Sequence, residues 1–202
     1  MARSLAGLMS AAACVALFAC SVPAPAPEDV PDAAVLMNEL MSGRGDIGGD
    51  FDLAGPDGKP RNLASFRGRI VLLYFGYTSC ADTCPVDLAQ IAQALRLLGP
   101  RAREVQPVFV TLDPARDTPA VIREYAAAFD PRIVPLRGTE AETRRIATSY
   151  KIYFQKQPIV GGGYVVDHAA FTFLLDREGR YVSFFPPGTP AARIATIVRD
   201  AL

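Results

Sequence analysis

A short, unbroken apolar run constrains the fold more than any other feature of the sequence. The run, Ile-Val-Leu-Leu-Tyr-Phe at 70–75, lies between Gly68 and Gly76. A strand with one solvent-exposed face alternates polar and apolar residues. This run does not alternate, and it therefore predicts a strand at 69–75 with both faces buried. The sequence therefore predicts a central strand in a sheet that helices cover on both sides.

Patterns along the rest of the chain predict an alternation of strands and helices around that strand. The turn sequence Gly-Pro-Asp-Gly at 55–58 predicts a hairpin within 51–63. The predicted helices lie at 85–98, 118–129, 139–150 and 189–202, and the predicted strands at 105–112, 133–136, 164–166, 171–175 and 180–185. This order indicates an α/β fold with a central mixed sheet flanked by helices and an N-terminal β-hairpin.

The first 20 residues are expected to be an export signal. One cation, Arg3, precedes an apolar run at 5–18 that is too short to span a bilayer as a stable helix. The segment ends Leu-Phe-Ala-Cys, which resembles a bacterial lipobox and predicts a lipoprotein signal peptide at 1–20 with lipidation of Cys20. We expect a membrane-anchored lipoprotein of the bacterial cell envelope, its domain in the periplasm or otherwise outside the cytoplasmic membrane. In the alternative interpretation, Cys20 is an incidental cysteine of an uncleaved signal.

The composition after Cys20 divides the chain into a tether and a domain. Residues 21–49 are rich in Pro, Ala and Gly, which predicts a flexible tether with one short helical stretch at 35–41. Residues 50–202 are the size of one ordinary domain. The whole chain has 21 cations and 21 acids, so no basic field for nucleic acid is expected.

Two cysteines, Cys80 and Cys84, follow the central strand directly. They lie where the next helix begins, at the carboxyl end of the strand, which is the usual place for a site in an open α/β sheet. Thiols one helical turn apart can form a disulfide or bind a soft metal. The helix start favours the thiolate, and the charge of Asp82 opposes it. A permanent structural disulfide is the alternative, although so short a loop gives little stabilisation.

The only histidine, His168, is a candidate third donor. A lone histidine is often structural, but a strand at 171–175 beside the central strand brings the preceding loop towards the two thiols. Two thiolates and an imidazole are soft donors that suit copper, whereas structural zinc requires a fourth ligand. Asp113 is a candidate at the rim, and Asp117 is better explained by a turn and helix cap. Asp167 is a candidate to orient the ring.

Seven motifs between residue 51 and the carboxyl terminus carry a resemblance to the Sco/SenC family. They are Phe51-Asp52-Leu53, Asp57-Gly58-Lys59-Pro60, Phe75-Gly76-Tyr77-Thr78, Cys80-Ala81-Asp82-Thr83-Cys84-Pro85, Thr111-Leu112-Asp113-Pro114, Arg116-Asp117-Thr118 and Asp167-His168. The resemblance implies a thioredoxin-like fold over 50–202 and one copper ion, Cu(I) or Cu(II), bound by Cys80, Cys84 and His168. The sequence departs from the family pattern at Ala81, where proline is frequent, and at Ala169, where a small hydroxyl residue is common.

The function that the resemblance implies is copper delivery to the dinuclear copper A centre of cytochrome c oxidase, with a thiol-disulfide redox role beside it. The implied partners are the copper-bearing oxidase subunit, a periplasmic copper donor and a thioredoxin-like reductant. A membrane-anchored thiol:disulfide oxidoreductase that needs no copper is the main alternative, so whether the protein is an enzyme stays open. A peroxidase and a purely structural module are further alternatives.

Overall fold

The structure is a computed structural model, and it describes residues 33–42 and 46–202. The helices are α1 Ala33–Ser42, α2 Thr83–Leu98, α3 Pro119–Phe129, α4 Glu140–Ser149 and α5 Ala191–Ala201. The strands are β1 Leu53–Ala54, β2 Pro60–Arg61, β3 Ile70–Gly76, β4 Val105–Thr111, β5 Val134–Leu136, β6 Phe154–Pro158, β7 Tyr164–His168, β8 Thr172–Leu175 and β9 Tyr181–Phe185. Short 3₁₀ turns at Leu63–Phe66 and Gly99–Glu104 complete the elements.

The central sheet has five strands in the order β5-β4-β3-β8-β9. The strands β3, β4 and β5 are parallel, and β8 pairs antiparallel with both β3 and β9. All seven residues of β3 are buried, as its apolar run predicted. The mixed sheet flanked by helices is confirmed, and the antiparallel pairing of Tyr74 with Thr172 places the segment before β8 at the cysteine end of β3.

The predicted N-terminal hairpin is also confirmed. Strands β1 and β2 pair antiparallel around a turn in which the Gly58 amide donates to the Gly55 carbonyl at 2.9 Å. Ala54 and Arg137 exchange two backbone hydrogen bonds, at 2.8 and 2.9 Å, just after β5. The hairpin is therefore attached beside one edge of the central sheet.

Part of the segment predicted as a tether is folded. The helix expected at 35–41 is α1, in which Leu40 is 3% exposed. The Tyr181 hydroxyl donates to the Leu40 carbonyl at 2.7 Å, so the packed structure begins before residue 50. The predicted signal at 1–20, with Cys20, lies outside the described residues. Among the helices that are described, none has the length and apolar character needed to cross a membrane.

Several element boundaries, and one strand, differ from the sequence-based expectation. Helix α2 begins at Thr83, two residues before the predicted start, and α5 begins at Ala191, after Pro190. Strand β6 was not predicted, because four of its five residues, in Phe-Gln-Lys-Gln-Pro, are polar or proline. Together β6 and β7 form a separate two-stranded sheet, and His168 is the last residue of β7 and not part of a loop.

Candidate metal centre

The two cysteines flank the start of α2, directly after the end of β3. Cys80 is half-buried in the connecting turn, and Cys84 is fully buried in the first turn of the helix. Because the first amides of a helix have no partner within it, they need an acceptor from outside. The amide of Cys84 donates to the sulfur of Cys80 at 3.4 Å, so Cys80 acts as an acceptor at the helix start, where the Asp82 side chain makes no capping hydrogen bond.

The two thiols have opposite acidities. The pKa of Cys80 is lowered to about 5, mainly because the Cys84 thiol donates a hydrogen bond to the Cys80 thiolate and the Cys84 amide adds another, while burial opposes the shift. The same hydrogen bond, together with burial, raises the pKa of Cys84. At neutral pH the pair therefore holds one thiolate, on the more exposed sulfur, and one thiol beneath it.

The imidazole of His168 faces the buried sulfur. Its Nδ1 lies 3.2 Å from the carbonyl oxygen of Val166, and its Nε2 lies 3.7 Å from the Cys84 sulfur. The carbonyl can only accept, so Nδ1 carries the proton and Nε2 presents its lone pair to the thiol side. Burial lowers the pKa of His168, which keeps the ring neutral. A neutral ring with an oriented lone pair is the form in which histidine binds a metal.

The separation of 3.7 Å between Nε2 and the Cys84 sulfur suits two ligands of one ion. Typical metal-sulfur and metal-imidazole bond lengths at an angle of about 110–120° place the two donor atoms about 3.6–3.8 Å apart. Within the described ranges, no three His, Cys, Asp or Glu side chains stand together as a complete metal site. The two contacts among the donors both involve Cys84, whose amide donates to the Cys80 sulfur and whose sulfur faces Nε2 of His168.

The acids that were candidates for the rim are already engaged. Asp113 is fully buried, and its carboxylate accepts hydrogen bonds from Arg116 and from the Tyr164 hydroxyl. Asp117, also fully buried, accepts from the amide and hydroxyl of Thr78 and from the hydroxyl of Thr111. Neither carboxylate is free to act as a fourth ligand. Asp117 fixes the turn that leads to Cys80, a role that the sequence interpretation missed.

The orientation of the ring differs from the sequence-based expectation. Asp167 is exposed on β7, and the Val166 carbonyl is the partner of Nδ1 that had been expected of Asp167. A second missed neighbour is Tyr77, whose ring meets the His168 ring edge-on, with centroids 5.7 Å apart. These contacts depend on backbone geometry that residue types alone do not reveal.

Gly76 is a third residue whose role at the site was missed. A Cβ atom at this position would lie 2.8 Å from the Cys84 sulfur and 2.9 Å from a ring carbon of Tyr74. Only glycine lets α2 place its buried thiol this close to the end of β3. The signal was present in the sequence, since Gly76 separates the apolar run from the cysteine motif.

The fold and site define a thioredoxin-like protein with a paired thiol that an imidazole approaches from a separate hairpin. The SCO1/SenC family model matches residues 40–202, and the chain belongs to that family. An SCO2-like protein of Rickettsia prowazekii is 37% identical over 156 residues, which cover 76% of each chain.

The solved structures that share the fold include two with copper bound. The structure of Bradyrhizobium japonicum ScoI with copper bound has a TM-score of 0.72 and 40% identity, covering 77% of this chain and 99% of that one. The crystal structure of yeast Sco1 with copper bound has a TM-score of 0.69 and 33% identity, covering 78% of this chain and 91% of that one.

Proposed function

We propose that this protein is a copper chaperone that binds one copper ion through Cys80, Cys84 and His168. Its proposed role is delivery of that ion to the dinuclear copper A centre of cytochrome c oxidase. The observation that carries the proposal is the placement of Nε2 of His168 at 3.7 Å from the Cys84 sulfur, with its other nitrogen already bonded to Val166.

The donor set favours copper over zinc. Two sulfurs and one imidazole are soft ligands, and cuprous copper accepts a low coordination number. Structural zinc is bound by four protein ligands, and the nearby carboxylates of Asp113 and Asp117 are held by other partners. The membership of the family and the bound copper of the Bradyrhizobium japonicum relative support the same choice.

The acidities of the donors suit uptake and release near neutral pH. Cys80 is already a thiolate, His168 is neutral, and only Cys84 must give up a proton when copper is bound. Release then proceeds by exchange of these ligands for those of an acceptor. Oxidation of the pair to a disulfide removes two electrons and the proton of Cys84, and it leaves neither sulfur as a thiolate ligand, so the disulfide and bound copper exclude one another.

The proposal is tested by titrating the reduced full chain with Cu(I) in competition with a chromophoric chelator. We expect one ion per chain, binding lost in Cys80→Ser or Cys84→Ser, and affinity lowered at least tenfold in His168→Ala. Tyr153→Phe is a matched control, since this exposed tyrosine bonds Gln155 and lies outside the donor set. Unchanged affinity in His168→Ala would refute the three-donor site.

A redox function of the pair is a second candidate, favoured by the asymmetry of the thiols. A half-buried thiolate next to a buried thiol is the arrangement of an attacking and a resolving cysteine. In that role the Cys80 thiolate attacks one sulfur of a substrate disulfide and releases the other as a thiolate. Cys84 then gives up its proton and attacks the Cys80 sulfur of the mixed disulfide, which releases the second substrate thiol and leaves a Cys80–Cys84 disulfide. This candidate predicts that the His168→Ala variant still reduces a model disulfide. The chaperone function, in contrast, should be lost in that variant.

We propose that the domain acts in the bacterial cell envelope, anchored through lipid on Cys20. The support is the lipobox-like sequence and the need for an acceptor outside the cytoplasm. Its proposed partners are the copper-bearing oxidase subunit, a periplasmic copper donor and a thioredoxin-like reductant. Membrane fractionation tests the anchor: Cys20→Ser should move the protein to the soluble fraction, and continued membrane association would argue against lipidation.

A further inference from the structure

The central sheet sets the position of His168 only in part, because the pairing of β8 with β3 fixes the chain from Thr172 onwards and His168 lies before that strand. Among the described strands, β7, which ends at His168, pairs with β6 alone, whereas both cysteines follow β3 of the five-stranded sheet. The third donor and the two thiols therefore sit on separate hydrogen-bonded units. Contacts between side chains must hold the β6–β7 hairpin in place if Nε2 is to stay near the thiols.

Three residues form a closed set of contacts between the hairpin and the segment after β4, and we call them the latch: Asp113, Arg116 and Tyr164. Arg116 Nε donates to one oxygen of Asp113, and its Nη1 donates to the Tyr164 carbonyl at 2.8 Å. The Tyr164 hydroxyl donates to the other Asp113 oxygen at 2.7 Å, and the guanidinium lies 3.9 Å from the centre of the Tyr164 ring. Because Tyr164 is the first residue of β7, the latch grips the strand that ends at His168.

The latch also reaches the metal centre through an aromatic ring. The guanidinium carbon of Arg116 lies 5.8 Å from the centre of the Tyr77 ring, which in turn meets the His168 ring edge-on. Tyr77 belongs to the turn that leads to Cys80, and its carbonyl accepts from the Cys80 amide at 3.3 Å. Arg116 thus contacts both the hairpin and the cysteine turn.

We propose that Arg116 is a positioning residue that, with Asp113 and Tyr164, makes His168 available as the third copper donor. This inference rests on the proposed copper-binding function. Arg116 does not bind the ion; it fixes the distance between the hairpin and the thiols. With a weakened latch, Cys80 and Cys84 keep their places at the end of β3, while the imidazole loses its fixed approach. The whole loss of copper affinity in a latch variant should therefore result from the loss of His168 as a donor.

Two conservative substitutions each remove some of the hydrogen bonds of the latch and keep its remaining contacts. Tyr164→Phe removes the hydroxyl bonded to Asp113 and keeps the ring beneath the guanidinium. Arg116→Lys keeps the positive charge beside the buried carboxylate but loses the two-pronged hydrogen bonding. Tyr153→Phe serves as the matched control. It also removes a tyrosine hydroxyl next to the hairpin, but that hydroxyl donates to Gln155 of β6, at 2.5 Å, and not to the segment after β4.

The experiment is a double-mutant cycle on the reduced full chain, with Cu(I) affinity measured by chelator competition. We expect Arg116→Lys and Tyr164→Phe each to lower affinity about tenfold, the scale known for residues that orient metal ligands. In the His168→Ala background the same substitutions should cause no further loss. In the Cu(II) form, the nitrogen hyperfine signal should weaken while the sulfur-to-copper charge-transfer band remains, and Tyr153→Phe should match the wild type.

The outcomes separate this inference from the function on which it rests. An equal loss in the presence and absence of His168 would overturn the latch, since the effect would then reach the thiols or the whole fold. Wild-type affinity in both latch variants, with a clear loss in His168→Ala, would overturn the latch and leave the copper site standing. Unchanged affinity in His168→Ala would overturn both.

Discussion

Replacing Gly76 with alanine should displace the buried Cys84 sulfur of the candidate metal centre. The new Cβ would lie 2.8 Å from the Cys84 sulfur, 2.9 Å from a Tyr74 ring carbon and 3.2 Å from a Phe109 ring carbon. Favourable contacts between heavy atoms lie at about 3.5–4.0 Å, so the sulfur must retreat by roughly 0.7 Å or the strand must shift. All three neighbours are fully buried, which leaves no solvent-filled space to absorb the movement.

The cost follows from this overpacking. An extra methyl group in a packed core destabilises a protein by about 1–3 kcal/mol. Taking about 2 kcal/mol and a urea slope of about 2 kcal/mol/M, the unfolding midpoint should fall by about 1 M. Displacement of the Cys84 sulfur should also lower Cu(I) affinity at least tenfold, because the contact with His168 Nε2 depends on that sulfur.

Gly138→Ala is the matched control for this prediction. Its Cβ would lie 2.7 Å from a methyl carbon of buried Leu53 and 3.0 Å from the Cβ of Glu142, so it overpacks the protein at a site outside the metal centre. Urea unfolding should show a comparable loss for both variants, while chelator competition should show weakened copper binding for Gly76→Ala alone. Wild-type copper affinity in a destabilised Gly76→Ala protein would refute the claim that Gly76 sets the position of the sulfur.

Three further predictions concern acidity and buried polar groups. The rate of alkylation of Cys80 should rise as the pH passes through about 5, and a rate that rises only near pH 9 would contradict the lowered pKa of this thiol. The lowered pKa of Cys80 also implies a contribution to folding stability that is complete above pH 9 and is lost as the pH falls to about 5. Asp117→Ala leaves the half-buried Thr78 donors and the fully buried Thr111 hydroxyl without their acceptor and should cost about 3 kcal/mol in urea unfolding, with partial recovery in Asp117→Asn; a loss below about 1 kcal/mol would contradict the role of Asp117. Thr139→Ala removes the capping box with Glu142 and should cost about 1 kcal/mol while leaving copper affinity unchanged, and a change in that affinity would show that the cap reaches the site.

The parts of the fold that the sequence predicted well depend on local patterns. The apolar run of β3 needs no partner to be recognised, and the capping box at Thr139 appears where the residue types place it. Strand β6 has one buried side chain in five, and its pairing with β7 decides its conformation. The start of α2 was missed because its acceptor is the sulfur of Cys80, which lies outside the usual capping residues.

In the candidate metal centre, too, local features could be predicted from the sequence and contacts between distant segments could not. Cys80 and Cys84 are close in sequence, and their position between the end of β3 and the next helix was predictable from the neighbouring apolar patterns, although the first residue of that helix was not. The approach of His168 was inferred from strand order, and the register of β3 with β8 confirmed that order. The contacts of Arg116 with Tyr164, 48 residues further along the chain, had no local signal. An arginine role of this kind arises only when distant segments meet.

The unequal depth of the two sulfurs sets a direction for any exchange at this centre. Cys84 is closed in by Gly76 and Tyr74, whereas the Cys80 sulfur lies nearer the surface. An incoming thiol from another protein can approach only from the outer side, so it meets Cys80 before it meets Cys84. Under the proposed delivery function, copper transfer is therefore ordered: the bond to Cys80 exchanges first, the bond to Cys84 breaks last, and the ion stays bound until the acceptor's ligands have replaced the outer sulfur.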